Sequence, residues 1–246
     1  MDGSLDRMRF SVVIPAHNEA PLLPAGLEAI ARAAERHGGD VEIIVVANRC
    51  TDSTPVLALE AGAVVVTSDA RNISTVRNAG AVAATGEILV TIDADCLMSP
   101  DALSEIERLL GTGRYVGGGT RVRPERSSAG IRATYLLVRV ITLLTGLSGG
   151  MFWCRRADFE AVGGFDEALL VAEDVDFARR LRAHGRRSGR RIVELRSAPV
   201  VASCRKFDRF GDWHMFGMVL QLRQIRAAAS GRDTAWADRY FFDFNR

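Results

Sequence analysis

The sequence predicts an α/β protein whose central sheet is mostly parallel and is flanked by helices. The first observation is that the first half of the chain alternates short apolar runs with helical patterns, as parallel α/β units do. The second is size, because 246 residues with 48% hydrophobic and 25% charged residues allow one large domain with an ordinary core. No linker-like segment interrupts the chain. We therefore expect a single domain over residues 1–246, with a first half at about 9–113 and a mixed second half at about 114–246 that ends in a helical tail.

Four strands are predicted in the first half, each followed by a helix. The strands are predicted at 10–14, 41–47, 63–67 and 87–92, and the helices at 21–37, from 52 onward, at 72–84 and from 99 onward. The second strand hardly alternates between apolar and polar residues, which is typical of a strand buried on both faces. The second helix has a local start signal: in Asp52-Ser-Thr-Pro55 a capping residue precedes a proline in the first turn, which is typical of a helix N-terminus.

The pattern changes after residue 114. Strands are predicted at 115–123 and 151–155, and a long apolar helix is predicted at 131–147. A second helix is predicted at 173–184, where Gly185 is expected to end it, and the tail at 207–229 is also predicted to be helical.

Composition excludes several classes of protein. A net charge of +2 argues against a nucleic-acid binder, which is usually far more basic. The longest apolar stretch, about thirteen residues with Arg139 inside it, is shorter than the roughly twenty that span a bilayer. The first ten residues lack the apolar core of a signal peptide, and the four cysteines form no zinc-binding pattern. We expect a cytoplasmic protein with free thiols.

The strongest chemical signal is the segment Ile92-Asp93-Ala94-Asp95, which follows the fourth predicted strand. Two carboxylates at positions i and i+2 of extended chain point to the same side. At the carboxyl end of a parallel strand they could bind a divalent cation and, through it, a diphosphate. A solvated polar loop after a strand is the alternative that this segment alone leaves open.

Five further segments accompany this pair of carboxylates. They are Pro15-Ala-His-Asn-Glu19, Asn48-Arg-Cys-Thr-Asp52, Arg77-Asn-Ala-Gly80, and the downstream pair Gly163-Gly-Phe-Asp-Glu167 and Val171-Ala-Glu-Asp174. In this order the segments resemble the family 2 glycosyltransferases of the GT-A fold, and the resemblance covers about residues 9 to 190. It implies a GT-A-like fold, with a nucleotide-sugar-binding first half and an acceptor-binding second half.

The resemblance also implies a role for individual residues. Those implied to bind the nucleotide sugar are Pro15, Ala16, Asn18, Glu19, Asn48, Asp52, Arg77, Asp93, Ala94 and Asp95. Those implied to bind the acceptor are Gly149, Gly150, Glu173 and Trp213. Asp95 and His214 are the implied metal ligands, and Asp174 is the implied general base. The expected cofactor is Mn²⁺ or Mg²⁺, the expected donor is a UDP- or GDP-sugar, and the expected acceptor carries a hydroxyl group.

The reaction expected from the resemblance is a single displacement that inverts the anomeric carbon. The processive members' QxxRW signature is missing, since the tail reads Gln221-Leu-Arg-Gln-Ile-Arg226, so transfer of one sugar is expected. One position departs from the family pattern: many members carry Asp-Asp where this chain has Ala47-Asn48. An amide both donates and accepts hydrogen bonds, whereas a carboxylate only accepts, so the base of the donor stays open.

Two other functions remain as alternatives at this stage. A nucleotidyltransferase also combines an α/β fold with carboxylates and a metal, but it usually carries a glycine-rich basic loop near its N-terminus. A degenerate transferase that only binds a partner is the second. Two features leave membrane contact open. The apolar helix at 131–147 is either a core helix or a helix that faces lipid. The seven arginines of 179–191 form either a solvated surface or a contact with the anionic inner membrane surface.

Overall fold

The computed structural model describes residues 8–145, 150–169, 172–214 and 216. The strands, numbered in chain order, are β1 Phe10–Ala16, β2 Val41–Asn48, β3 Val64–Ser68, β4 Ile88–Ile92, β5 Cys96–Leu97, β6 Tyr115–Pro124, β7 Met151–Arg155 and β8 Arg191–Ala202. The helices are α1 Leu23–His37, α2 Thr54–Glu60, α3 Ile73–Ala83, α4 Ala102–Gly111, α5 Ala129–Thr145, α6 Arg156–Ala161, α7 Glu173–Arg187 and α8 Arg205–Phe210.

The described strands form one sheet of eight in the order β3-β2-β1-β4-β7-β6-β8-β5. Strands β1 to β4 are parallel to one another where they pair, and β6 is parallel to β8. Strand β7 is antiparallel to both β4 and β6, and the short β5 is antiparallel to β8. The α/β fold with a mostly parallel central sheet is therefore confirmed, and strands from both halves of the chain belong to the same sheet.

Helices cover both faces of this sheet. Alternate residues of β1 face opposite layers, as the two-residue period of a strand requires: Phe10, Val12 and Ile14 pack in one buried cluster with α1 and α4, and Val13 packs in another. The second cluster contains Val76 of α3 and Phe177 of α7. These two layers fix the carboxyl ends of β1, β2 and β4 at one edge of the sheet.

Local signals mark the ends of the helices in the first half. Helix α1 ends at His37, and Gly38 takes the left-handed conformation (φ 66°) that such a stop requires. Pro55 lies in the first turn of α2, and the side chain of Asn72 caps α3 by accepting a hydrogen bond from the backbone N–H of Ser74.

The prediction that Gly185 ends a helix is wrong. Helix α7 continues through it to Arg187. A Cβ at Gly185 would lie 2.7 Å from Cγ1 of Val116, so this glycine allows α7 to approach β6 closely. The predicted tail helix at 207–229 is interrupted, because α8 ends at Phe210 and Gly211 (φ 86°) follows it. Residues 217–229 lie outside the described residues. Strands β5 and β8 and helix α6 were not predicted. Within the part of the chain that the structure describes, no helix is long and apolar enough to cross a membrane.

Candidate functional site

Polar side chains from both halves of the chain meet at the carboxyl edge of β1 and β4. Asp93 follows β4 directly, and Ala94 is buried beneath it while Asp95 remains partly accessible. Gly150 immediately precedes Met151, which pairs with Ile92, so Gly150 lies beside this turn. The edge is therefore formed by both a parallel and an antiparallel neighbour of β4.

Arg77 connects this edge to the start of α7. Its guanidinium donates to Oδ1 of Asp93 at 2.9 Å and to Oε1 of Glu173 at 2.7 Å, and it lies 5.3 Å from the ring centroid of Phe165. Burial lowers the pKa of Arg77, but the two carboxylates outweigh burial and raise it, so the guanidinium stays charged. Burial raises the pKa of Glu173, whereas Arg77 opposes that rise.

A second arginine lies on the other side of the same turn. Arg205, the first residue of α8, donates to both carboxylate oxygens of Glu19 at 2.7 and 2.6 Å. Its Nη2 also lies 3.2 Å from Oδ2 of Asp95. Burial raises the pKa of Asp95, and so does the neighbouring carboxylate of Asp93, while Arg205 lowers it. Each carboxylate of the Asp93-Ala94-Asp95 segment is thus paired with one arginine.

The loops after β1 and β2 hold each other in place. Oδ1 of Asn18 accepts from the backbone N–H of Thr51 at 2.8 Å. Oδ2 of Asp52 accepts from the N–H of Ala20 at 3.1 Å, and its Oδ1 accepts from the N–H of Thr54 at 3.0 Å. Burial raises the pKa of Asp52, but the hydrogen bonds it accepts outweigh this and lower it. Two of the residues implied to bind a nucleotide therefore have a structural role as well.

Three other residues implied to bind a nucleotide line the ends of these strands. Pro15 and Ala16 are the last residues of β1 and are buried, and Ala16 pairs with Ala47 of β2. Asn48, the last residue of β2, is also buried, and its Oδ1 has no hydrogen-bond partner among the described residues. A buried amide oxygen without a partner costs free energy, and a bound water or ligand could supply the missing donor.

The Arg77-Asn-Ala-Gly80 segment of α3 has three separate uses. Arg77 faces the site, and Asn78 holds the loop before α7 by exchanging hydrogen bonds with the backbone of Phe165, each at 2.9 Å. A Cβ at Gly80 would lie 2.3 Å from Cγ1 of Val13, so only glycine allows α3 to lie this close to β1. The segment therefore fixes the distance between the sheet and the loop that precedes Glu173.

Asp174 lies in the first turn of α7, next to Glu173. Its Oδ1 accepts from the N–H of Val175 at 2.7 Å, and the side chain is only partly buried. The residue before α7, Ala172, has a positive φ of 64°. Asp176 differs from Asp174, because it pairs with Arg180, which also donates to the backbone carbonyls of Val162 and Gly164. Asp176 thus stabilises the loop, whereas Asp174 remains available at the edge of the site.

One group of side chains could hold a metal ion among the described residues. It consists of Asp93, Asp95 and Cys96, whose ligand atoms all lie within 4.8 Å of one another. Carboxylate oxygens suit Mn²⁺ and Mg²⁺. Burial and the nearby carboxylates raise the pKa of Cys96 well above its ordinary value, so near neutral pH the sulfur is a thiol and the two carboxylates are the stronger ligands.

The remaining site predictions do not converge on this group. His214 is not part of it; its Nδ1 lies 2.8 Å from the carbonyl of Gly211, and its ring packs against Phe207. Trp213 is 58% exposed and contacts the ring of Phe216. Gly149 lies outside the described residues. The roles assigned to these residues stay predictions.

Sequence reasoning missed Arg205. It is 110 positions from Asp95 and stands in no recognisable motif; its place in the site depends on β8, which pairs with β5 directly after Asp95. A prediction of β8 would have provided the only signal, since a strand there brings the following residues back to the turn after β4.

The polar side chains lie at the carboxyl ends of parallel strands, which is where open α/β sheets bind their ligands. The profile of the family described as glycosyl transferase family 2 matches residues 11–163, and the chain belongs to that family. A curated relative, the undecaprenyl-phosphate 4-deoxy-4-formamido-L-arabinose transferase of Enterobacter sp. (strain 638), is 28% identical over 154 residues, which are 59% of this chain and 47% of the relative. The chain thus spans about half the length of that relative.

Solved structures of glycosyltransferases have the same fold. The mannosyltransferase PcManGT of Pyrobaculum calidifontis, in complex with GDP-Man and Mn²⁺, superposes with a TM-score of 0.63 at 25% identity, over 79% of this chain and 56% of that one. The glucosyl-3-phosphoglycerate synthase of Mycobacterium tuberculosis, in complex with Mn²⁺, UDP and phosphoglyceric acid, superposes with a TM-score of 0.62 at 20% identity, over 92% of this chain and 78% of that one. S. aureus TarS 1-349, in complex with UDP-GlcNAc, superposes with a TM-score of 0.62 at 20% identity, over 80% of this chain and 58% of that one. The GT-A-like fold predicted from the sequence is confirmed.

Proposed function

We propose that this protein transfers a sugar from a nucleoside diphosphate sugar to an acceptor hydroxyl, with a divalent cation and with inversion at the anomeric carbon. The observation that carries the proposal is the convergence of Asp93, Asp95 and Glu173 at the carboxyl edge of the parallel strands, in a chain that belongs to glycosyl transferase family 2. Ligands of open α/β sheets bind at this edge.

The donor is proposed to lie along the ends of β1, β2 and β4. The unpartnered Oδ1 of Asn48 would accept an N–H from the base, and the loops held by Asn18 and Asp52 would enclose the nucleoside. PcManGT and TarS, whose structures contain GDP-Man and UDP-GlcNAc respectively, support a GDP- or UDP-sugar as the donor. An amide at position 48 is compatible with either base, because both guanine and uracil present an N–H beside a carbonyl.

Asp93 and Asp95 would hold the cation, Mn²⁺ or Mg²⁺. Two of the compared structures contain Mn²⁺, and the carboxylate pair suits that ion. When bound, the cation offsets the negative charge that develops on the diphosphate leaving group. Arg77 would orient Asp93 through the 2.9 Å contact.

Asp174 is proposed to take the proton of the attacking hydroxyl. It lies in the first turn of α7, next to Glu173, at the end of a helix that attracts negative charge. Glu173 is engaged by Arg77 and lies deeper, so it would position the acceptor side of the site instead of accepting the proton. Gly150, beside the turn after β4, would leave room for the acceptor.

The experiment is a donor screen that separates this proposal from its alternatives. Thermal shifts are measured with UDP- and GDP-sugars, with and without Mn²⁺, and donor hydrolysis is followed in parallel. We expect one donor class to stabilise the protein in a metal-dependent way, and Asp95→Asn to abolish that dependence. Asp101→Asn is the matched control, since Asp101 pairs with Arg36 on the surface and should leave donor binding unchanged.

The outcomes are distinct. Pyrophosphate release from a nucleoside triphosphate would identify a nucleotidyltransferase, and a complete absence of donor hydrolysis and transfer would identify a binding protein. Full activity in excess chelator would contradict the cation. For the stereochemistry, NMR of the first product formed should show the anomeric configuration opposite to that of the donor, and a single sugar per acceptor is expected.

We further infer that residues 1–246 act as one domain, with a donor half at about 9–113 and an acceptor half from about 114. This is supported by the single sheet to which both halves contribute strands.

We also propose a peripheral contact with a lipid surface through α5, on which Leu136 and Val140 are 63% and 45% exposed. The name of the curated relative, an undecaprenyl-phosphate transferase, supports a lipid-linked acceptor.

A further inference from the structure

We propose that Arg205 opposes the binding of a bare divalent cation at Asp95 and thereby makes cation binding depend on the diphosphate of the donor. The inference rests on the cation site proposed above, and it assigns a positioning role to a residue outside the family's sequence motifs. It follows from three features of the turn after β4.

The first feature is that Arg205 is anchored. Its two terminal nitrogens donate to the two carboxylate oxygens of Glu19 at 2.7 and 2.6 Å, and the Glu19 side chain is only 7% exposed. Bidentate arginine–carboxylate pairs of this kind have a fixed geometry. The guanidinium therefore cannot move away from the turn without leaving a buried carboxylate unpaired, which is costly.

The second feature is that the anchored guanidinium lies against Asp95. Its Nη2 is 3.2 Å from Oδ2 of that carboxylate. The backbone reinforces the contact, because the N–H of Ser203 donates to the carbonyl of Asp95 at 3.0 Å and Cys96 pairs with Ala202. The chain that carries Arg205 is thus hydrogen-bonded to the chain that carries Asp95.

The third feature is the sign of the charges. A cation bound by Asp95 would lie within about 5 Å of the guanidinium, and the repulsion between a unit charge and a divalent ion at that distance weakens binding by about tenfold even at the dielectric constant of water. Lys206 adds to the same positive field. A diphosphate carries the opposite charge and is attracted by both the cation and Arg205. Cation and diphosphate should therefore bind with positive coupling, which by linkage is the same for either order of addition.

Manganese titrations test this without measuring catalysis. Free aqueous Mn²⁺ is followed by its electron paramagnetic resonance signal, with the protein alone and with UDP or GDP added. For the wild-type protein we expect weak Mn²⁺ binding that the diphosphate strengthens. Arg205→Gln should bind Mn²⁺ alone at least about tenfold more tightly, so that the ion binds without UDP or GDP at concentrations at which the wild-type protein needs the diphosphate.

Two further variants separate charge from folding. Glu19→Gln combined with Arg205→Gln removes the arginine without leaving a buried carboxylate, and it should also bind Mn²⁺ alone more tightly than the wild type. Arg205→Lys retains the positive charge and should stay within about threefold of the wild type, since it is the charge that opposes the cation. Arg196→Gln, which removes an exposed arginine of β8, serves as the surface control.

Unchanged or weaker Mn²⁺ binding in both Arg205→Gln and the double variant would overturn the inference while leaving the cation site intact. If the wild-type protein binds no Mn²⁺ even with UDP or GDP present, the cation site itself fails, and with it both this inference and the metal-dependent function proposed above.

Discussion

Replacing Arg77 by methionine removes the charge that joins the sheet edge to α7 and keeps an unbranched side chain against Phe165. The two ion pairs that are lost differ in exposure, because the side chain of Glu173 is 12% exposed and that of Asp93 is 41% exposed. Breaking a buried pair costs about 3–5 kcal/mol of unfolding free energy. An exposed pair contributes about 1 kcal/mol or less. The loss should therefore come mainly from Glu173, and for a chain of this length it should lower the melting temperature by about 6–20 °C.

The size of this loss should depend on pH. Burial raises the pKa of Glu173, and Arg77 limits the rise. A carboxyl group whose pKa is higher in the folded state binds more protons there than in the unfolded chain, so stability falls as pH increases between the two pKa values. Without Arg77 the pKa of Glu173 in the folded state rises further. The pH range over which stability falls therefore extends to higher pH. The difference in unfolding free energy between variant and wild type should be smallest near pH 4, which is below the pKa of about 4.3 of a glutamate in the unfolded chain, and largest near pH 7.

The assay is a melting curve of wild type and variant at matched pH values from 4 to 7. Arg77→Met combined with Glu173→Gln is the control, because it removes the unpaired carboxylate and should recover most of the lost stability at pH 7. A melting temperature within about 2 °C of the wild type, or an equal loss at pH 4 and pH 7, would refute the assignment of the loss to a buried Glu173 carboxylate.

Three further outcomes are expected. Gly80→Ala should cost about 1–3 kcal/mol in urea unfolding, because its Cβ would lie 2.3 Å from Cγ1 of Val13; an unchanged midpoint would mean that α3 shifts freely. Asp174→Asn should melt normally and bind donor but turn over at least about a hundredfold more slowly; wild-type turnover would transfer the base role to Glu173. In liposome flotation the protein should bind vesicles through the exposed apolar residues of α5, so binding should persist in part at high salt; complete release by salt would assign the contact to surface charges instead.

The first half of the fold was predictable because its signals are local. Apolar strands, a capping Asn72 before α3 and Gly38 after α1 each specify an element from within a few residues. The four strands also pair in parallel with a regular register, so the residues that follow them meet at one edge without further information. The sequence pattern therefore placed Asp93 at this edge, and the family resemblance added Glu19 and Asp52 as residues implied to bind the nucleotide sugar.

The second half was less predictable because its partners are distant in sequence. Strand β8 contains Arg196, Ser197 and Pro199, which interrupt the strand pattern, and its register against β6 shifts between Thr120 and Val122. Long-range pairing with β6 and β5 compensates for this weak local preference. The run of arginines at 179–191 was ambiguous for a similar reason. Arg180 and Arg190 turn out to bind Asp176 and Asp158, so they serve the packing of α7 and do not belong to an open basic surface.

The charges at the site are arranged in a way that stability alone does not explain. Glu19 and Glu173 are buried or nearly so, and each is paired with an arginine that also reaches one carboxylate of the Asp93-Ala94-Asp95 turn. Buried ion pairs often stabilise a fold no better than apolar residues of similar size, because desolvation offsets the attraction. Replacing both pairs by apolar side chains would leave the fold comparably stable but would remove the groups that orient Asp93 and Asp95. The two arginines orient a pair of carboxylates at the edge where a diphosphate would bind. Arg205, which lies outside the sequence motifs, therefore shares this role with Arg77, which lies within one.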